Sequence, residues 1–261
     1  MEFLQKIENA NEDLFWNLPE QPQGTVNIIG GNSQSFSTPM KVAEFLSAKY
    51  KIQTVNLILP DVLQNKLPSL SNLIFLNSTD SGSLADGAEI TLAANTADYN
   101  LIIGDLSKNS ITGKAIAEAC RKIEKPVLIT RDAVDLLADN MTESTLTNEN
   151  LVIMASMVQL QKILKAVYYP RMLTLTAPLT NVAETLHKFT LSYPVSLITL
   201  HNGQILVAKN GNVTTSDLAK TNFSPISFWS GELAAKIVAI NLFNPNNFID
   251  ATISAIISAQ Y

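Results

Sequence analysis

The stretch Ser230-Gly231-Glu232 combines residue types that could bind an anion and accept a proton. It follows Trp229 and opens an apolar run from Leu233 that has the pattern of a buried helix. The first turn of a helix leaves several N–H groups without intrahelical partners, and the helix dipole makes that end positive. Such an end can hold a phosphate, and Glu232 could then act as a base. The alternative is an ordinary helix start capped by Ser230, and the local sequence leaves both interpretations open.

A second carboxylate, Asp132, lies between a predicted buried strand over 126–130 and a predicted short helix over 133–138. Ligands of parallel α/β sheets bind at the carboxyl ends of the strands. Asp132 is therefore placed to contact a ligand or a magnesium-bound water, or else to cap the helix that follows it. Other predicted strand ends on this edge carry small or polar residues, namely Gly30-Gly31-Asn32, Gly104-Asp105 and Ser156.

Composition favours one folded domain over 1–261, with a helix in residues 1–20 packed on its body. Hydrophobic residues make up 46% of the 261 and charged residues only 16%, against roughly 25% charged in typical proteins. The net charge of −5 and the lack of Lys and Arg clusters argue against nucleic acid as a partner. The last fifty residues hold only five Asp, Glu, Lys or Arg, so they are predicted to be buried in the core or in a homo-oligomer contact.

Cysteine and histidine offer little chemistry here. The single cysteine, Cys120, excludes internal disulfides and multi-cysteine metal sites, and its apolar setting predicts a buried thiol. His187 and His201 are far apart in sequence without zinc-type spacing, so no metal site is predicted. No apolar run is long enough to span a bilayer and no signal-peptide pattern is present, so we expect no membrane partner and a cytoplasmic location.

Apolar periodicity and turn residues predict strands and helices in alternation, which is typical of a mostly parallel sheet in a three-layer α/β/α fold. Asn202-Gly203 predicts an antiparallel hairpin near the C-terminus. Strands are predicted over 25–31, 54–59, 73–76, 100–103, 126–130, 151–154, 195–200 and 204–208. Helices are predicted over 1–18, 38–50, 82–95, 111–124, 133–138, 178–191, 229–243 and 246–259, with another ending near 167.

Taken in order, these positions resemble the ribokinase-like superfamily, most closely the ADP/ATP-dependent NAD(P)H-hydrate dehydratases of the YjeF carboxyl-terminal-domain type. The resemblance covers nearly the whole chain after residue 24. The family's glycine-rich substrate loop falls on 30–39, where the paired glycines and Pro39 agree and Asn32 replaces a serine. The resemblance implies a substrate site formed by Gly31, Asn32, Ser35, Ser37, Gly104, Asp132 and Ser156.

The family's Gly-Ser/Thr-Gly-Asp motif falls on Trp229-Ser230-Gly231-Glu232. The resemblance implies that Glu232 is the catalytic base and that Trp229, Ser230 and Gly231 meet the nucleotide phosphates. His201 and Asn202 fall on the family's nucleotide-side Lys-Gly. Glutamate in place of aspartate moves the carboxylate by about one bond, and a misplacement of about 1 Å can cost on the order of a hundredfold in rate. Trp229 replaces a glycine whose missing side chain lets phosphate approach the backbone.

Three functions are compatible with these residues. The first is a divergent NAD(P)H-hydrate dehydratase with weak or lost activity, whose implied cofactor is ADP or ATP with Mg²⁺. The second is a non-catalytic protein that binds a nucleotide, a dinucleotide or a related metabolite, or acts as a structural subunit. The third is a small-molecule kinase acting on a sugar or a vitamin. Whether the chain is an enzyme stays open at this point.

Overall fold

A ten-stranded sheet organises the computed structural model of the chain, which describes residues 2–6, 18–68, 71–217 and 228–257. The strand order across the sheet is β1-β10-β9-β8-β7-β6-β5-β2-β3-β4. The strands are β1 (Leu4–Lys6), β2 (Thr25–Gly30), β3 (Thr54–Pro60), β4 (Leu73–Leu76), β5 (Tyr99–Gly104), β6 (Val127–Thr130), β7 (Leu151–Ala155), β8 (Ser196–His201), β9 (Gln204–Lys209) and β10 (Asn212–Asp217).

Eight α-helices in the described residues cover the two faces of the sheet. They are α1 (Ser37–Lys49), α2 (Gly87–Ala94), α3 (Ser110–Lys122), α4 (Asp132–Asn140), α5 (Met157–Ala166), α6 (Leu179–Ser192), α7 (Glu232–Phe243) and α8 (Phe248–Ile257).

The predicted mostly parallel sheet and the predicted C-terminal hairpin are both confirmed. Strand β9 pairs antiparallel with β8 and β10, whereas the other adjacent pairs are parallel. The β8–β9 turn places Asn202 at φ 48° and Gly203 at φ 73°, the left-handed pair that a two-residue hairpin turn requires.

Alternate side chains of each central strand enter two separate hydrophobic cores, because successive residues of a strand point to opposite faces. In β2, Ile28 packs in a core with α1, α7 and α8, whereas Ile29 packs in the core beneath α2 to α6. Both isoleucines are fully buried. The near-continuous apolar runs of these strands follow from burial on both faces, and the result is the predicted three-layer α/β/α arrangement.

The prediction of a helix at the N-terminus is wrong over Leu4–Lys6, which form β1 and pair in parallel with β10. The rest of that predicted helix, over 7–17, lies outside the described residues. The ring of Phe3 stacks on His187 with centroids 4.0 Å apart, so the amino end does pack on the body. A local 3.6-residue pattern cannot reveal this pairing, because it depends on a strand more than two hundred residues away.

One helix boundary and one strand also differ from the prediction. The helix predicted over 82–95 begins only at Gly87, because the Asp86 side chain accepts the amides of Ala88 and Glu89 and caps it there. Strand β10 is absent from the prediction, because its sequence from Asn212 to Asp217 is short and mostly polar.

The charge-poor C-terminal helices are buried within the chain itself. Helix α7 begins at Glu232 rather than at 229, and eight of its residues are buried. Helix α8 lies beside it with seven buried residues between Phe248 and Ile256. Burial in the chain's own core therefore accounts for the low charge, and a homo-oligomer stays a prediction. Within the described residues no helix is both long and apolar enough to span a membrane.

Cys120 is expected to be unreactive in the folded protein. It lies on the buried face of α3, and burial raises the pKa of its thiol to about 12, so almost no thiolate exists near neutral pH. We expect the rate of reaction with Ellman's reagent at pH 8 to be at least about a hundredfold lower in buffer than in urea. A Cys120→Ala, Lys114→Cys variant, with its cysteine on the exposed face of the same helix, should react at once. Rapid labelling of native Cys120 would contradict its burial.

Candidate functional site

The carboxyl ends of β2, β5, β6 and β7 meet at one edge of the sheet, and the segment 228–231 leads into α7 beside them. The site predicted from the sequence lies along this edge. Its backbone is unusual, since Gly31, Gly104, Asp105, Arg131 and Gly231 all have positive φ. Positive φ is uncommon for residues with a side chain, so Asp105 and Arg131 show that the surrounding contacts hold this edge firmly.

The Asp132 carboxylate joins the end of β6 to the loop after β5. Its Oδ1 accepts the amide of Asp105 at 3.1 Å and its Oδ2 accepts the amide of Leu106 at 3.0 Å. Gly104 permits this approach, because a Cβ there would lie 2.0 Å from Asp132 Oδ1. Helix α4 begins at Asp132 without a side-chain cap. The carboxylate therefore does not cap the helix, and both of its oxygens are already occupied by backbone donors.

Asp105 is held in the same way. Its Oδ1 accepts Arg131 Nη2 at 3.1 Å, and its Oδ2 accepts the amide of Thr38 at 3.1 Å, at the start of α1. Its carbonyl accepts Asn32 Nδ2 at 2.6 Å. Only 9% of the Asp105 side chain is exposed. The pair with Arg131 therefore ties the loop after β5 to the loop after β6 and to helix α1.

Arg131 spans this edge from the end of β6 to the turn before α7. Its Nη1 donates to the Trp229 carbonyl at 3.0 Å, and its own carbonyl accepts Gln159 Nε2 at 2.7 Å. Its Nε is buried and has no hydrogen-bond partner among the residues that the structure describes. The backbone at φ 58° and ψ −141° lies near a region that glycine normally occupies, at a cost of about 1–3 kcal/mol. The guanidinium group thus brings a positive charge to the turn that precedes α7.

A tight turn at Gly231 leads into α7. Gly231 is the N-cap in the left-handed conformation, with φ 94°. A Cβ at this position would lie 3.0 Å from Val42 Cγ2 and 3.1 Å from Ile103 Cδ1, so glycine allows the turn to fit against α1 and β5. The amide of Glu232 donates to Ser230 Oγ at 3.3 Å, and the Glu232 side chain is exposed.

The Trp229 ring packs against the core. It contacts Phe228 edge to face, with centroids 4.3 Å apart and planes at 72°, and lies against the cluster that contains α7. Lys236 lies one turn along α7 from Glu232; burial lowers the pKa of its ammonium and the Glu232 charge partly opposes that shift. The carboxylate of Glu232 and the cations of Arg131 and Lys236 therefore lie close to the backbone of this turn.

Most of the predicted substrate residues are engaged in holding the loops together. The Gly31 amide donates to the Gly104 carbonyl at 2.9 Å. Asn32 Oδ1 accepts the amides of Gln34 and Ser35 at 2.8 and 3.1 Å. Ser37 is an exposed residue at the start of α1. Ser156 caps α5 in a reciprocal capping box with Gln159.

His201 and Asn202, the predicted nucleotide-side residues, lie at the β8–β9 turn. The His201 ring is 3% exposed, and its Nε2 pairs with the Ala177 carbonyl at 2.7 Å. Asn202 is exposed and supplies the left-handed turn residue. These contacts stabilise the turn, and a role of the two residues in binding stays a prediction.

Sequence reasoning missed the central roles of Asp105, Arg131 and Thr38. Both Asp105 and Arg131 directly follow a buried strand, and that position is the only signal that could have singled them out. Their pairing depends on which strands are neighbours in the sheet. Their positive φ values cannot be read from residue type.

The described residues fit a magnesium ion poorly. Among them, no group of three or more His, Cys, Asp or Glu side chains could hold a metal ion. The two carboxylates at the centre of this edge, Asp105 and Asp132, already accept two donors each. Magnesium is normally held through carboxylates and water, and both of these carboxylates are committed to donors of the protein itself.

Known structures identify the architecture. No family model and no curated protein matches this chain by sequence. A ribokinase-like superfamily protein from Enterococcus faecalis superposes with a TM-score of 0.66 at 14% identity, covering 100% of this chain and 87% of that one. The chain has the ribokinase-like fold.

Two other ribokinase-like neighbours are enzymes. The ADP/ATP-dependent NAD(P)H-hydrate dehydratase from Bacillus subtilis, co-crystallised with ATP/Mg²⁺ and soaked with CoA, gives a TM-score of 0.56 at 12% identity over 94% of this chain and 84% of that one. Pyridoxal kinase from Bacillus subtilis, as an ADP complex, gives 0.50 at 11% over 91% and 89%. These superpositions support the ribokinase-like fold. Because the sequence identities are this low, the activity has to be argued from the residues of this chain.

Replacing Asp132 by asparagine tests its role in joining the two loops. The amide would point an N–H group at a backbone N–H and leave one donor unsatisfied, so we expect a loss of about 1–3 kcal/mol of unfolding free energy. Asp139→Asn, an exposed position on the same helix, should change stability by less than about 0.5 kcal/mol. Urea unfolding of both variants measures the difference. Equal midpoints would mean that the Asp132 carboxylate does not hold this edge.

Proposed function

We propose that this protein is a divergent relative of the NAD(P)H-hydrate dehydratases that binds an adenine nucleotide, and whose phosphoryl-transfer activity is weak or lost. One observation carries the proposal. The helix end that could hold phosphate keeps its shape at Gly231, whereas the carboxylates of Asp105 and Asp132 are fully engaged inside the protein. These two observations support nucleotide binding without efficient phosphoryl transfer.

The nucleotide phosphates would lie at the start of α7. The amides of Leu233 and Ala234 would face the phosphates, since the Glu232 amide donates to Ser230 Oγ and the Ala235 amide donates to the Gly231 carbonyl. The helix dipole adds positive potential there. Arg131 brings a guanidinium to the carbonyl of Trp229 in the preceding turn. The Trp229 ring packs on Phe228 and against the core. This packing supports the arrangement, because a ring held against the core does not cover the backbone of the turn.

Phosphoryl transfer requires more than an anion site. Its transition state is stabilised by metal ions, cations and a positioned base acting together. Glu232 is a candidate base on an exposed first turn, but each oxygen of the two central carboxylates already accepts a donor from the protein itself. The same argument weighs against a sugar or vitamin kinase, which performs the same transfer.

A thermal-shift titration with ADP, ATP, NADH and NADPH, each with and without magnesium, tests the proposal. A ligand that binds only the native state raises the midpoint with its concentration. We expect ADP and ATP to raise it to a similar extent with and without magnesium, and we expect no conversion of hydrated NADH. Magnesium-dependent conversion would contradict the loss of activity, and no shift with any nucleotide would contradict binding.

Replacing Glu232 by glutamine tests whether its charge lies beside the bound phosphates. Removing a negative charge next to a bound polyphosphate relieves repulsion, so we expect the Kd for ADP to fall about two- to tenfold. Glu44→Gln on exposed α1 changes the net charge equally and should leave the Kd unchanged. Calorimetry at low ionic strength measures both. A weaker affinity in Glu232→Gln would mean that the carboxylate takes part in binding.

A further inference from the structure

A second candidate site lies at the opposite edge of the sheet. A cavity of about 500 Å³ opens at the amino ends of the parallel strands. It is lined by residues just before β2, β5, β6 and β7, by the last residue of β9, and by the end of α7 with the start of α8. A volume of this size accommodates a small organic ligand.

One wall of the cavity is apolar and aromatic. It is formed by Leu242, Phe243, Pro245 and Phe248, and Tyr99 also lines the cavity. Tyr99 is 4% exposed, and its burial raises the pKa of the phenol, so its hydroxyl remains a neutral donor at ordinary pH. Within the described residues the hydroxyl finds no hydrogen-bond partner. The hydroxyl is therefore available to donate to a ligand in the cavity.

A half-buried ammonium lies in the same cavity. Lys209 Nζ lies 4.9 Å from the centroid of the Phe248 ring. Burial lowers the pKa of Lys209, and the charge of Glu149 partly opposes this shift. In the described part of the chain no carboxylate forms an ion pair with Lys209. The ammonium has thus lost water without gaining a direct anionic partner, which is costly unless an anion is supplied.

The remaining charges define what the anion can be. Lys125 and Glu149 are exposed at the rim, and the Asp98 carboxylate accepts the Thr25 amide at 2.8 Å. Two lysines and two carboxylates line the cavity, so the lining has no net formal charge, which favours a ligand with a single negative charge over a polyphosphate. The aromatic wall favours a flat apolar body.

We infer that this cavity binds a small aromatic carboxylate, with its carboxyl group on Lys209, a hydrogen bond from Tyr99, and its ring against Phe243 and Phe248. This site is separate from the proposed nucleotide site, because it lies at the amino ends of the strands. Its test therefore stands whatever the outcome of the nucleotide titration.

Three probes of the same shape test the charge preference in the full chain. Calorimetry compares 1-naphthoate, the neutral 1-naphthalenemethanol and the cationic 1-naphthylmethylammonium. We expect naphthoate to bind at least about tenfold more tightly than the alcohol, and the ammonium compound to bind weakest. Equal affinities for the three, or no binding of naphthoate at millimolar concentration, would overturn the inference.

Variants then locate the site. Lys209→Met keeps the aliphatic stem and should abolish the preference for naphthoate over the alcohol. Tyr99→Phe removes only the unpartnered hydroxyl, so it should fold normally and weaken naphthoate binding several-fold. Lys114→Met, on the exposed face of α3, is the matched control and should bind as the unaltered protein does. Unchanged naphthoate affinity in Lys209→Met or in Tyr99→Phe, or competition by ADP, would show that the probe binds elsewhere.

Discussion

The hydrogen bonds from the Asp132 carboxylate to the amides of Asp105 and Leu106 are the constraint on which the carboxyl edge depends. They fix the loop after β5 in a conformation that places Asp105 against Arg131 and the start of α1. Hydrogen bonds to a charged group contribute about 1.5–3 kcal/mol each. Two of them can offset the strained backbone of Arg131, which costs about 1–3 kcal/mol.

This constraint also determines what the edge can do chemically. Both oxygens of the Asp132 carboxylate already accept a backbone amide, so the orientation of the carboxylate is set by the loop it holds. Arg131 in turn is divided between Asp105 and the Trp229 carbonyl. The ribokinase-like fold is thus present while the groups at the carboxyl edge of its sheet stabilise one another.

Much of the fold follows from the sequence because burial on both faces leaves a strong pattern. Ile28-Ile29 and Leu101-Ile102-Ile103 are fully buried, and their apolar runs between turn residues predict central strands. The pattern fails at Leu4–Lys6 and at Asn212–Asp217, where pairing of β1 with β10 depends on tertiary contacts. At the candidate site, residue types predicted the positions of Asp132 and Gly231. The partners of Asp132 could not be predicted, because they depend on the order of strands in the sheet and on left-handed backbone at Asp105 and Arg131.

Helix α7 links the two edges of the sheet, since Gly231 precedes it at one and Asn241 to Phe243 end it at the other. Its twelve residues span about 18 Å. Ala234, Ile237 and Val238 are fully buried, and a close-packed interior resists small shifts. A ligand moves an equilibrium only by its differential affinity for two states, and a helix packed this tightly offers no second state at low cost. We therefore expect that a ligand bound at one end of α7 does not change ligand binding at the other end.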